Sequence, residues 1–158
     1  TVILGNDPEK GQPAKWLGEM ETFEGTATEE KIEKDGLYTD KFTANSGDTY
    51  DRCYLPDDAA TYLLKNQYSK FTGTSYLPKY NKDTDDQFRF LVYLDDKLTY
   101  TSPVMTAGVE PQTFSVNVGG AYKMEIVHQL KFRSGDNWGE YINTGKGALI
   151  ADAALWTN

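Results

Sequence analysis

The sequence has very few of the residues on which many enzymes and metal sites depend. Its 158 residues include one cysteine, Cys53, and one histidine, His128. A single thiol cannot form an internal disulfide, and a single imidazole excludes a histidine-rich zinc site. We therefore expect Cys53 to be a small buried apolar residue, and His128 to be a hydrogen-bonded residue near a sheet edge.

Long apolar segments and an excess of positive charge are also missing. No stretch approaches the ~18 consecutive apolar residues of a membrane-spanning helix. Asp and Glu number 24 against 16 Lys and Arg, which gives a formal net charge of −8. Such a surface repels phosphate backbones and anionic lipid, so neither nucleic acid nor membrane insertion is an expected partner.

The sequence contains none of the common catalytic signatures. It has no Gly-x-Ser-x-Gly elbow, no phosphate-binding Gly-Lys-Thr loop and no dinucleotide fingerprint. We predict a protein that is not an enzyme and has no cofactor. The acidic residues 83–86 lack the EF-hand spacing, so a solvated loop is favoured there, and a structural calcium ion remains the alternative.

Short strands with period-two patterning make up most of the chain. The clearest pair is a hairpin at residues 88–101, in which Phe88, Phe90 and Val92 fall on one face before a turn at Asp95 and Asp96. Sustained helical periodicity is absent. The pattern predicts an all-β fold, an antiparallel β-sandwich of jelly-roll type.

The remaining elements complete one predicted domain. Residues 1–15 are expected to be a linker or irregular lead-in, and residues 16–158 the sandwich. Residues 24–35 are expected to form a short helix or a solvated loop, and residues 56–58 a turn. Further strands are predicted at residues 68–76, 113–118, 122–128 and 148–156, with a Gly-rich polar loop at residues 133–147.

The loop around Trp138 suggests a binding function. A Trp flanked by Gly and polar residues is hard to explain as part of a core, and an indole can stack on the C–H face of a sugar. The polar partners in this loop would be Arg133, Asp136, Asn137 and Glu140, with Tyr141 beside them. The alternative is a Trp that folds back to cap the end of the sandwich.

A second polar and aromatic cluster comprises Asp51, Arg52 and Tyr54, preceded by Tyr50. Loops gather at the two ends of a sandwich, so distant segments can contribute to one site. The spacing does not decide whether this cluster and the Trp138 loop share an end.

Taken in order, these features resemble the NPCBM family, the novel putative carbohydrate-binding modules related to the family 51 modules. The resemblance covers residues 16–156. It rests on Trp16-Leu17 and on residues 62–73, 90–103 and 114–120. It implies a β-sandwich that binds glycans, with the ligand near Tyr54 and Trp138. The His-containing motif of the family is replaced at residues 51–56.

These observations predict a non-catalytic carbohydrate-binding module of a larger extracellular bacterial enzyme, scaffold or adhesin. Such a module would be a secreted or cell-surface monomer, tethered to other domains of its polypeptide and binding a poly- or oligosaccharide. The alternative, favoured by the missing His motif, is a structural or protein-binding module of a cell-surface or cellulosome-type protein.

Overall fold

A computed structural model describes residues 12–32, 40–134, 136–144 and 148–157 of the chain. Most of the predicted lead-in at residues 1–15 lies outside these ranges. Ten strands and two single-turn 3₁₀ helices occur in the described part, all strands pairing antiparallel. No helix there is long and apolar enough to cross a membrane. The strands are β1 (Lys15–Trp16), β2 (Glu24–Lys31), β3 (Arg52–Leu63), β4 (Lys70–Tyr76), β5 (Gln87–Leu94), β6 (Lys97–Thr101), β7 (Gln112–Asn117), β8 (Lys123–Ser134), β9 (Asn137–Asn143) and β10 (Leu149–Trp156).

The strands form one antiparallel network that curls over a single main core. The path is β6-β5-β8-β3-β10-β4-β7, with β1 paired to β10, β2 to β3 and β9 to β8. Side chains from near the two ends of this path meet: the ring centroids of Phe90 and Phe114 are 4.9 Å apart, and those of Tyr100 and Phe114 6.1 Å. The sheet is therefore an almost closed β-sandwich, and the predicted fold class is confirmed.

Period-two patterning explains why these strands bury one face. In β7, Phe114 and Val116 are buried and their neighbours are exposed, as predicted. The hairpin of β5 and β6 is confirmed. Its turn places Asp95 and Asp96 at φ 49° and 69°, the left-handed conformation that Asp tolerates and that a two-residue hairpin turn requires.

Two predictions about the first third of the chain are wrong. Residues 24–31 form strand β2 rather than a helix or loop, and β3 runs straight through residues 56–58, where a turn was expected. The reason is tertiary: β2 pairs with β3 along its length, and a bulge between Gly25 and Ala27 accommodates the irregular register. Residues 33–35 of the predicted segment lie outside the described part of the chain.

The predicted polar loop at residues 133–147 is also corrected. Residues 137–143 form β9, which makes a hairpin with the end of β8. In the register, Lys131 faces Tyr141 and Arg133 faces Trp138, so two steps along β8 match three along β9. This bulge brings Trp138 and Tyr141 to the same face of the hairpin, although their spacing alone would place them on opposite faces. Residues 135 and 145–147 are not described.

A small second apolar cluster covers part of the outer face of the sheet. Residues 40–50 lie over β4, and Tyr50 stacks on Tyr76 with 4.8 Å between ring centroids. Cys53 is buried in this cluster beside Phe42 and Leu149, which confirms its expected character. In the described part of the chain, the rest of the outer face of β4 and β10 borders an open groove.

Candidate functional site

The hairpin of β8 and β9 brings one predicted cluster together. Trp138 keeps 42% of its surface exposed, so the indole is not packed into the interior as a cap. The guanidinium carbon of Arg133 lies 5.8 Å from the indole centroid, and the Asp136 carboxylate is 4.0 Å from the Arg133 guanidinium. Asn137 is exposed and begins β9, and Tyr141 lies on the same strand face as Trp138.

Tyr54 is placed wrongly by the sequence argument. It is fully buried in the main core, where its hydroxyl shares a 2.7 Å hydrogen bond with the hydroxyl of Tyr62. Burial raises the pKa of Tyr54 well above its usual range. A side chain in this position contributes packing and cannot contact a ligand at the surface.

Arg52 and Asp51 lie at the start of β3, apart from the hairpin cluster. Arg52 donates to Glu29 at 2.7 Å, and its guanidinium carbon lies 4.1 Å from the centroid of the Trp16 ring. The two clusters have different partners: Arg52 contacts Glu29 and Trp16, whereas Arg133 contacts Trp138 and Asp136. The two predicted clusters are therefore two separate surfaces.

The Trp16 side of this second surface opens into a groove that the sequence argument missed. We call it the tryptophan groove; its volume is about 270 Å³. It crosses the open outer face of β10, β4 and β7. Its lining includes two indoles, three threonines and one carboxylate, with Pro13 and Gln12 along one side: Trp16, Trp156, Thr72, Thr74, Thr113 and Asp152.

Strand geometry explains why polar side chains line the groove. A Cβ atom on Gly73 would lie 2.7 Å from Ile150 and 2.9 Å from Phe114, both core residues, so position 73 faces inward. Thr72 and Thr74 alternate with it and face outward. The hydroxyl of Thr74 lies 3.3 Å from that of Thr113 on the neighbouring strand.

Trp156 forms a fixed part of the groove. Only 5% of its surface is exposed, and its indole N–H donates to the Thr72 hydroxyl at 2.7 Å. Trp16 is more open and lies next to it, because β1 pairs with β10 in a register that sets Trp16 opposite Ala154. This register pairs two segments that are far apart in the sequence. The sequence shows both tryptophans, but it does not show that they come together.

Asp152 gives the groove its negative charge. It stands in a bulge of β10 between Ala151 and Ala154, with φ at 54°. Burial raises the pKa of its carboxyl group, the negative charge of Asp51 raises it further, and Arg52 opposes both. Its carboxyl oxygens can accept hydrogen bonds from hydroxyl donors.

The two side chains best suited to nucleophilic chemistry are both sequestered. Burial raises the pKa of the Cys53 thiol to about 11, so it is a thiol at neutral pH. His128 is also buried, and the expected hydrogen bonds are wrong: neither ring nitrogen has a partner among the described residues. Within that part of the chain, no group of three or more His, Cys, Asp or Glu side chains could hold a metal ion.

The fold and the groove define a small antiparallel β-sandwich module with an aromatic and polar surface on one sheet. Residues 14–144 match the family model described as the NPCBM/NEW2 domain, and the chain belongs to this family. A search of curated proteins found no significant match.

Solved structures with the same fold come from Clostridium perfringens. One is a CBM51 from GH95 in complex with methyl-galactose, with TM-score 0.62 and 20% identity over 89% of this chain and 98% of that one. Another contains CBM51-2 in complex with GlcNAc and INT domains from ZmpB, with TM-score 0.64 and 17% identity over 90% of this chain. The chain spans only 31% of that second structure. At these identities the likeness shows the fold.

Proposed function

We propose that this chain is a non-catalytic carbohydrate-binding module that holds a sugar in the tryptophan groove. The observation that carries the proposal is the meeting of an indole, three hydroxyls and a carboxylate in one open groove on the sheet. Family membership supports it, and so do the methyl-galactose and GlcNAc that the two related structures contain.

The chemistry of the groove suits a sugar ring. A pyranose presents apolar C–H groups on one face, which can pack on the ring of Trp16. Its hydroxyls can donate to the Asp152 carboxylate and exchange hydrogen bonds with Thr74 and Thr113. The volume of about 270 Å³ is slightly below the ~300–1,000 Å³ typical of small-ligand clefts, which favours one or two sugar units.

Arg52 acts on this site through Trp16. Its guanidinium lies against one side of the indole and is itself held by Glu29. This contact fixes the ring orientation before a ligand arrives, which reduces the ordering cost of binding. We therefore propose Arg52 as a positioning residue and Asp51 as a charge that tunes Asp152.

The proposal includes a cellular context. A single open groove of this kind binds weakly, at about millimolar to micromolar Kd, or roughly −4 to −8 kcal/mol. Tethering to other domains of a secreted or cell-surface bacterial protein converts weak contacts into useful avidity. Support comes from a solved structure of Clostridium perfringens ZmpB with the same fold, which contains an M60 catalytic domain with two CBM51 domains.

A second candidate function is protein binding, favoured by the outer strand of the hairpin. Phe132 and Ile142 are 51% and 45% exposed on adjoining strands, and β9 is the last strand at its side of β8. An edge strand with exposed apolar groups can pair with another chain. If protein binding is the function, the tryptophan groove would not bind sugars.

Binding of a folded protein to a glycan panel tests the proposal. We expect the wild type to bind at least one galactose- or GlcNAc-containing glycan, and Trp16→Ala to weaken that binding at least about tenfold. Phe23→Ala is the matched control, because Phe23 is an exposed aromatic side chain outside the groove. Circular dichroism would verify folding of each variant. A folded wild type that binds no member of a broad panel would overturn the proposal.

A further inference from the structure

The outer face of the hairpin carries a row of cations packed on aromatic rings. The guanidinium carbon of Arg89 lies 3.7 Å from the ring centroid of Tyr141, and the ammonium of Lys131 lies 4.7 Å from it. Arg133 and Trp138 continue the row on the same face. We call these five residues the basic strip.

The two central cations of the basic strip have no carboxylate partner in the described part of the chain. Arg89 uses its Nε to donate to Gln129 at 2.8 Å, and neither it nor Lys131 forms an ion pair there. Two acids contact Arg133 at one end of the row: Asp136 lies 4.0 Å from its guanidinium, and Asp86 accepts from its backbone N–H at 3.4 Å.

Ion pairs are not the rule for the cations of the described residues: Lys41 pairs with Glu30 and Lys123 with Asp96, whereas Lys65 and Lys97 form none there. Arg89 and Lys131 differ from such single cations because both lie against the same aromatic ring. Two neighbouring cations held against one ring, without such partners, make a local positive site. Charge complementarity therefore indicates an anionic ligand.

We infer that the basic strip binds the carboxylate of an acidic sugar, in a polysaccharide that contains uronic acid units. The inference rests on the proposed function, because it takes the ligand to be a glycan. The terminal nitrogens of Arg89 present the planar fork that pairs with a carboxylate, and Lys131 adds a point charge beside it. The exposed indole of Trp138 offers a stacking surface for a neighbouring sugar ring.

The dimensions of the strip agree with a chain ligand. Trp138 and Tyr141 are three positions apart on β9, which at ~3.3 Å per residue is about 10 Å. The strip therefore extends past a single sugar unit. A nucleic acid fits it poorly, since its dense charge would be repelled by the acidic remainder of the surface.

Polygalacturonate and its fully methyl-esterified form are a matched pair of probes, since esterification removes the charge and keeps the chain. We expect the wild type to bind polygalacturonate more tightly, with an affinity that falls as salt rises from about 20 mM to about 200 mM. The double variant Arg89→Gln/Lys131→Gln should lose about tenfold in affinity for polygalacturonate. The control Lys65→Gln/Lys97→Gln removes the same charge elsewhere and should keep that affinity.

The outcomes separate this inference from the proposed function. Suppose that the wild type binds neutral glycans through Trp16 but does not prefer polygalacturonate over its esterified form. The basic-strip assignment is then overturned, and the proposed function of the tryptophan groove stands. Equal loss of affinity in both double variants would also overturn it, since net charge would then explain the effect. Dextran sulfate bound as tightly as polygalacturonate would contradict recognition of a carboxylate. A folded protein that binds no glycan at all would remove both proposals.

Discussion

At the scale of single residues, the two proposed binding surfaces depend on side chains whose surroundings depart from the average. Asp152 takes a left-handed backbone conformation and carries a raised carboxyl pKa. Arg89 stacks on the ring of Tyr141 and donates from its Nε to Gln129. His128 is the opposite case: it lies beside Phe90 in the core, and its ring nitrogens lack hydrogen-bond partners among the described residues. A buried polar group in this state destabilises the fold.

His128 predicts a specific sensitivity to acid. Burial lowers the pKa of this imidazole from its usual 6.5 to about 4. The unfolded chain binds a proton below the usual value while the folded chain does not, so stability is present near neutrality and is lost as pH falls from 6.5 towards 4. The difference in pKa corresponds to about 3 kcal/mol.

Urea unfolding of the wild type and His128→Leu at several pH values measures this effect. We expect the variant to match or exceed the wild type at neutral pH, and its advantage to grow by up to about 3 kcal/mol near pH 4. Comparing the two proteins cancels the contributions of the many carboxylates. Parallel stability curves for the two proteins would show that His128 has the same pKa in the folded and unfolded chains and would contradict the prediction.

At the scale of elements, local patterns were sufficient where a strand buries one face and insufficient where pairing overrides the pattern. The apolar alternation in β5 and β7 identified both strands and their inward faces. In contrast, β2 has no alternating buried apolar face and exists because β3 supplies its hydrogen bonds. No local signal distinguishes such a strand from a polar loop.

The candidate sites were likewise predictable where they consist of neighbours in sequence, and unpredictable where strand pairing assembles them. Trp138, Arg133, Asp136, Asn137 and Tyr141 share one hairpin, as expected for neighbours in sequence, but the bulge that aligns Trp138 with Tyr141 was not visible. The tryptophan groove combines strands from both ends of the chain, and its assembly depends on a register set by tertiary packing.

The pairing of β2 with β3 also predicts the cost of breaking a buried ion pair. The side chains of Arg52 and Glu29 are 14% and 5% exposed, and the second carboxylate oxygen of Glu29 has no partner among the described residues. Burial raises the pKa of Glu29 even though Arg52 opposes the shift. Replacing Arg52 by Met would leave this carboxylate without its cation, at a cost of about 3 kcal/mol.

Chemical denaturation at neutral pH tests the Arg52→Met variant. The double variant Arg52→Met/Glu29→Gln should recover much of the lost stability, since a neutral amide costs less to bury than an unpaired carboxylate. Sugar binding in the tryptophan groove should weaken in both variants, because each loses the contact that orients Trp16. A stability loss below about 0.5 kcal/mol for Arg52→Met would show that the pair is effectively solvated.

At the scale of the whole molecule, shared strands bind the two faces of the sandwich into one unit. β3 pairs with β10 at Cys53 and Tyr54 and with β8 from Ala59 onward, so a single strand belongs to both sides. β1 and β10 join the beginning and end of the described chain. Neither proposed surface therefore has a core of its own, and we expect the domain to unfold in one cooperative step.

Gly73→Ala tests this cooperativity from a position in the wall of the groove. The added Cβ would press on Ile150 and Phe114 in the main core, and overpacking of this kind costs about 1–3 kcal/mol. In a Trp138→Phe background the remaining indoles, Trp16 and Trp156, report on the sheet that carries the groove, while far-ultraviolet circular dichroism reports on all strands. In each protein, the fluorescence and dichroism probes should give the same urea midpoint. Gly73→Ala should lower both midpoints by the same amount. A fluorescence transition that moves while the dichroism midpoint stays would mean that the groove side unfolds separately, and that the shared strands do not couple the two surfaces.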